Sequence, residues 1–207
     1  DAAFTFINPT EPTIIGWRVA AAPQRFNGLI DEVRIYNRAL TLSEVEGLYK
    51  SGAVKFQAPN NKGLVGYWSM NEGYGTTTYD YSGNKNNGTL TGFQGNPWVN
   101  GKLGKALSFD GSNDYVSVPH NSSLDVGDTT SSYTVTAWFK TSFDSAIQRV
   151  IVAKNDGTGG NYPFHLELTS SETLRFFISQ GGVIGSVSVS TVSDGKWHSA
   201  VGVRDVA

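Results

Sequence analysis

The segment Asp80-Tyr81-Ser82-Gly83-Asn84-Lys85-Asn86-Asn87-Gly88 is the densest run of oxygen-bearing side chains in the chain. Calcium takes about six to eight oxygen ligands from carboxylates, amides and backbone carbonyls, and a glycine-punctuated loop can crowd them together. Asp80, Ser82, Asn84 and Asn87 are the candidate ligands, with Asp31 as an additional one from elsewhere in the chain. The loop is not an EF-hand, because the glutamate that closes such a loop is missing. The same residue types also make Asx turns with no ion present. Glu32, next to Asp31, suits an ion pair with Arg34 or Arg38. The run Phe109-Asp110-Gly111-Ser112-Asn113-Asp114 reads more simply as a hairpin turn than as a metal loop.

A second chemistry is recognition of sugars, which present apolar C–H faces and hydroxyls and so call for aromatic platforms beside polar side chains. In Tyr133–Lys140, alternation sends Val135, Ala137 and Phe139 one way and Thr134, Thr136 and Trp138 the other. Phe164–Leu168 repeats the pattern, with Phe164, Leu166 and Leu168 inside and His165 and Glu167 outside. Trp138, His165, Glu167 and Lys154 are therefore expected to share an outward face, with Trp17 and Trp98 in or beside loops at its rim. Partial burial in a core is the competing expectation for any one tryptophan. It is the preferred one for Trp68 and Trp197, while His198 is read as a hydrogen-bonded structural histidine.

Support for catalysis is thin. The three histidines never fall in H-E-x-x-H spacing, and no G-x-S-x-G elbow occurs. Gly157-Thr158-Gly159-Gly160 lacks the Lys-Ser/Thr and the helix of a phosphate loop. There are no cysteines, which removes disulfides, zinc thiolates and cysteine nucleophiles.

The elements that must position these residues are mostly strands. Hydrophobic residues make up 39% and aromatics 12% of 207 residues, enough for a sizeable core. A formal net charge of −2 suits neither a nucleic acid nor a polybasic membrane surface. No run approaches the roughly 20 apolar residues of a membrane span. Short β-type runs separated by turns are expected at 5–7, 13–17, 29–36, 64–69, 106–109, 115–118, 133–140, 149–154, 164–168, 174–179, 186–192 and 197–203. The pattern of 29–36 breaks near Asp31-Glu32, as a bulge would break it. One helix is expected over Thr41–Tyr49, capped by Thr41 or Ser43, with Leu42, Val45, Leu48 and Tyr49 as its apolar face. Residues 53–62 read as a linker. The architecture this implies is all-β: a two-sheet antiparallel jelly-roll sandwich with one short helix.

Several blocks resemble a known family. Gly66-Tyr67-Trp68, Gly73-x-Gly75, Asp80-x-Ser82-Gly83-Asn84 and Gly88-x-Leu90 resemble the start of laminin-G-like jelly rolls of the concanavalin A-like lectin/glucanase superfamily. GKALSFDGSNDYVSVP (104–119), VTAWFK (135–140) and DGKWHSAVGVRD (194–205) continue the resemblance in order. Phe26–Tyr49 is similar to the domain's closing segment, yet here it comes first. Residues 1–52 then read as the C-terminal portion of such a domain and 63–207 as the N-terminal portion. They are either one permuted domain or parts of two successive repeats. Closure within one chain is favoured, with Leu64–Ser69 pairing with Leu29–Tyr36. In the other arrangement the halves complete neighbouring copies.

The resemblance implies structural calcium, and an extracellular or cell-surface, non-enzymatic recognition or adhesion module whose partner is a glycan or a surface protein. The glucanases of this fold use clustered carboxylates on one strand, and a retaining pair stands about 5 Å apart. Asp31 and Glu32 are adjacent and would point to opposite faces of a regular strand. The competing expectation is a structural repeat that self-associates by strand complementation.

Overall fold

A computed structural model describes residues 10–18, 24–51, 61–127, 131–142, 147–154, 162–180, 183–189 and 192–206. The expected strand at 5–7, most of the 53–62 linker and the 157–160 glycine turn lie outside them. The strands, in chain order, are β1 (Thr13–Ile15), β2 (Asn27–Tyr36), β3 (Leu64–Trp68), β4 (Thr77–Thr78), β5 (Gly88–Thr91), β6 (Trp98–Asn100), β7 (Lys105–Asp110) and β8 (Tyr115–Val118). They continue with β9 (Tyr133–Lys140), β10 (Arg149–Lys154), β11 (Tyr162–Leu168), β12 (Leu174–Gln180), β13 (Val183–Val189) and β14 (Trp197–Arg204). Helix α1 spans Leu42–Ser51.

The strands form two antiparallel sheets. One has eight strands in the order β13-β12-β11-β10-β1-β8-β5-β4, and the other runs β14-β9-β2-β7-β6 with β3 also paired to β2. The fold is the expected sandwich. Its early segment does not sit at an edge: β1 lies between β8 and β10, and β2 lies between β9 and the β7/β3 pair. Val33, Arg34 and Ile35 pair with Trp68, Tyr67 and Gly66, so the closing-type and opening-type segments complete one another within this chain. Both sheets depend on residues 13–36 for their middles.

The expected bulge sits between Asp31 and Arg34 in the β2–β9 register, with Glu32 at φ 54°. It hands one edge of β2 from β7, paired to Asn27–Ile30, to β3, paired from Val33 onward.

Between the sheets lie Phe26, Ile30, Ile35, Trp68, Leu107, Phe109, Val135, Phe139, Val152, Phe164, Leu166 and Leu168, all buried. Phe26 meets Phe109 and Phe139 edge-on, at centroid distances of 6.2 and 6.3 Å, a favoured aromatic geometry. The indole N–H of Trp68 donates to the Asn86 carbonyl at 2.8 Å, so burial leaves no orphan donor there. Trp197, expected in the core, is only half-buried on β14.

A capping box starts α1. The Thr41 amide donates to Glu44 Oε2 at 2.9 Å, and the Glu44 amide donates back to Thr41 Oγ1. Arg38 adds two bonds to the same carboxylate. The buried face is narrower than expected. Leu48 packs with Tyr36, Leu40 and Leu64, while Leu42 is 75% exposed.

Candidate functional site

In the β14-β9-β2-β7-β6 sheet, the outer face of β9 and β2 is covered. Trp138 is 5% exposed. Tyr49 of α1 stacks on its ring at 5.5 Å, and the Lys102 ammonium lies 4.6 Å from the ring centroid. Thr134 Oγ1 donates to the Arg38 carbonyl and accepts the Leu40 amide, tying the approach to α1 onto β9. Trp138 is thus a structural residue under a lid and not a platform for a sugar.

The expectation of one shared face for Trp138, His165, Glu167 and Lys154 fails on topology as well as burial. Trp138 belongs to one sheet and the other three to its partner. Lys154 is separated further by a register shift between Val150 and Val152, which pairs Lys154 with the core residue Phe164. Its side chain therefore lies on the inner face. Its ammonium donates to the Leu124 carbonyl at 2.9 Å and to Asp125 Oδ1 at 2.8 Å. Burial lowers its pKa, against the pull of Asp125.

His165 and Glu167 do share the outer face of the eight-stranded sheet, but both are buried. Arg18 and Gln24, which follow β1, reach Tyr162 of β11 and Gln148 just before β10 respectively. Arg18 stacks over Tyr162, whose ring lies 4.8 Å from His165. Burial drives the His165 pKa down and keeps the ring neutral. Burial would raise the Glu167 carboxyl, but His165 and Arg175 outweigh it and hold it below the usual range. Arg175 Nε donates to Glu167 at 2.7 Å. Trp98 is 4% exposed, in the core, with its indole N–H on the Gly75 carbonyl. It sits on a three-residue strand, not at a loop rim.

The Asp80 carboxylate accepts hydrogen bonds on both oxygens. Asp80 Oδ1 accepts the Tyr67 and Ser82 amides, and Oδ2 accepts the Ser82 hydroxyl and the Asn86 amide. Asn87 Oδ1 accepts the Asp80 amide, and Asn84 Nδ2 donates to the Val65 carbonyl. These bonds engage Asp80, Ser82, Asn84 and Asn87, while Asn86 Oδ1 is buried without a partner. Asp31 is not part of the loop. Its Oδ2 accepts the Lys102 and Leu103 amides, at 2.9 and 3.0 Å, while Oδ1 is buried without a partner. The turn comes so close that a Cβ on Gly101 would lie 2.7 Å from Oδ2. Burial, aided by Glu32, pushes the Asp31 carboxyl up to about 7. Glu32 is spent on Arg34 and the Tyr67 hydroxyl.

An open concavity lies elsewhere. A cleft of about 310 Å³ is lined by Glu72, Tyr74, Gly75, Thr76, Thr77, Tyr79 and Tyr81. Tyr74 is 82% exposed, and Tyr79 and Tyr81 are more than half exposed. Short β4 holds Thr77 at the sheet edge, and the chain on both sides of it carries the tyrosines. Glu72 Oε1 accepts the Tyr79 amide at 2.8 Å and so fixes the wall, while Oε2 is buried behind it. Three exposed tyrosines and two threonine hydroxyls around one cleft suit a ligand with apolar C–H faces and hydroxyls. The signal was in the sequence: three tyrosines among Gly, Thr and Asp over 74–81, too many large aromatics for a turn-rich stretch that buries few of them.

A laminin G family model, described as the concanavalin A-like lectin/glucanases superfamily, matches residues 2–46 and 110–207. The chain belongs to the concanavalin A-like superfamily. The two matched stretches are consistent with a circular permutation of its domain. No curated protein and no solved structure matches. For this concanavalin A-like chain, membership supports a lectin-like binding module in general. The tyrosine cleft falls between the matched stretches, so the family match does not itself describe that site.

Proposed function

We propose that this chain is a non-catalytic carbohydrate-recognition module, working outside the cell or at its surface, with a sugar ring seated against Tyr74, Tyr79 and Tyr81. The observation that carries the reading is the gathering of three exposed tyrosines around one cleft. Stacking on tyrosine takes the apolar face of the ring, and the Thr76 and Thr77 hydroxyls that line the cleft meet those of the sugar. Binding is favoured over hydrolysis because Glu72 is the sole carboxylate lining the cleft, whereas glycosidases use a pair.

A glycan array with the intact chain, followed by calorimetry on the best ligand, tests this. Tyr79→Ala should weaken binding about tenfold, the effect of losing one aromatic anchor, without changing the melting temperature. An array with no bound glycan, or binding indifferent to Tyr74, Tyr79 and Tyr81 together, overturns the reading.

A further inference from the structure

Lys154 is a buried amine with no part in the tyrosine cleft. Its backbone is held on both sides, since it pairs with Thr13 of β1 and with Phe164 of β11. Thr13 in turn pairs with Val118 of β8. So β1 lies between the strand that carries Lys154 and the strand that leads into residues 119–127. In that segment Leu124 and Val126, on either side of Asp125, are buried in the core. A 3₁₀ turn over Ser122–Leu124 fixes the Asp125 backbone. Asn121 Oδ1 accepts the Ser123 amide, and the Asp125 amide donates to the Ser122 carbonyl at 3.2 Å.

Two nitrogens meet on one oxygen. The Lys154 ammonium donates to Asp125 Oδ1 at 2.8 Å, and His120 Nδ1 lies 3.5 Å from that same atom. The Leu124 carbonyl takes a second Lys154 hydrogen at 2.9 Å, which holds the nitrogen against the next residue, Asp125. Cγ of Asp125 is one covalent bond beyond Oδ1. Amine and carboxyl carbon are thus kept together by two fixed backbones, as a near-attack pair requires. Burial acts on the amine as well. It favours the uncharged form, against the pull of Asp125, and the uncharged amine is the nucleophile. The His120 and Asp125 side chains keep partial contact with solvent, which gives a departing water molecule a way out. A lysine–aspartate pair on an open surface has none of this, because water keeps both ions charged and both side chains move freely.

We infer that Lys154 and Asp125 join through a side-chain amide, an isopeptide bond that forms within the folded chain. The ammonium passes one proton to Oδ1 along their hydrogen bond, leaving an amine and a carboxylic acid. The Nζ lone pair then attacks Cγ. His120 takes a second proton from the nitrogen and gives it to Oδ1, which leaves as water while the new C–N bond stays. Ammonium and carboxylate together supply every atom of the amide and of the water, so no oxidant, activating group or cofactor enters. The bond clamps residues 119–127 to β10 across the Thr13 end of β1. It holds the strand contributed by the early segment between its two neighbours, in a chain with no cysteines to do so.

Mass spectrometry on the intact chain, folded and then denatured, tests this. The mass should be one water below that of the sequence. A tryptic digest should yield one branched peptide joining the Asp125 and Lys154 regions, with no cleavage after Lys154. Asp125→Ala and Lys154→Met should each restore the full sequence mass, while Asp125→Asn should still close by losing ammonia in place of water. His120→Gln, followed over time from cell-free synthesis, should slow closure about a hundredfold. The cross-link closes a loop of about thirty residues, so the parent protein should melt roughly 10 °C above Asp125→Ala. The full sequence mass in the folded parent chain after prolonged incubation overturns the inference, whether or not any variant folds. A lost water that maps to a succinimide at Asp110-Gly111 or Asp194-Gly195 overturns it too.

Discussion

The two sheets treat their outer faces in opposite ways. On the sheet built around β2 and β9, α1 and the 101–104 turn close over Thr134, Trp138 and Asp31, and the polar groups there bond to the lid. On the eight-stranded sheet, the outward positions of β10 and β11 are buried while those of β1, β8, β5 and β4 are open, ending in the tyrosine cleft. Polarity on a strand's outward positions thus has two meanings. Under a lid it supplies hydrogen bonds that fix the lid. In the open it is free for a ligand. Only what lies above the strand separates them.

The sharpest way to break this comparison is at Trp138. If the closed face is structural, Trp138→Ala should cost about 3–5 kcal/mol of stability, as loss of a buried tryptophan does, and glycan affinity should stay within twofold after correction for the folded fraction. Denaturant unfolding and calorimetry on the same preparation decide it. Lost binding with unchanged stability would move the ligand to the wrong sheet.

Much of the fold was legible before any coordinates. Val135, Ala137 and Phe139 alternate cleanly, the break at Asp31-Glu32 is a real bulge, and Leu64–Trp68 does close on β2. The site was less legible, for physical reasons. Alternation reports which side chains point away from the core, but not whether a helix or ribbon lies over them, so His165 and Trp138 looked accessible. A single register shift beside Ile151 carried Lys154 to the inner face. Strands of two to four residues, such as β4 and β6, are too short to display a period, so Trp98 read as a loop residue and the cleft edge went unseen.

Asp31 sharpens the comparison through pH. Its carboxyl sits at about 7 in the fold against 3.8 unburied. Between those values the native protein keeps a proton that the unfolded chain has released. The stabilisation is fully present below about pH 4 and is lost as pH rises toward 7. The full difference corresponds to at most about 4 kcal/mol. Asp31→Asn keeps an acceptor for the Lys102 and Leu103 amides but cannot ionise. Its melting temperature should stay level from pH 4 to 8 and exceed that of the parent protein at pH 8. Parallel profiles would show that the 101–104 turn is not held by a protonated acid.

A smaller effect is expected at the rim of the lid. Thr41→Ala removes half of the capping box and should cost about 1 kcal/mol. Because Tyr49 reaches Trp138 from the far end of α1, amide exchange in the helix and quenching of Trp138 should rise together. Faster helix exchange with unaltered tryptophan fluorescence would mean that α1 is not what seals this face.

The smallest effect expected is that of calcium on the Asp80 loop. A cation at Asp80 would have to replace hydrogens already aimed at its oxygens from Tyr67, Ser82 and Asn86. A ligand that binds only the native state raises the melting temperature by mass action. If the loop stands on its hydrogen bonds alone, adding calcium or a chelator should leave the melting temperature where it was. Asp80→Asn, which turns one acceptor oxygen into a donor facing other donors, should still lower it. A drop on chelation that vanishes in Asp80→Asn would instead assign calcium to this loop, and would make the edge strand beside the tyrosine cleft, and with it sugar affinity, calcium-dependent.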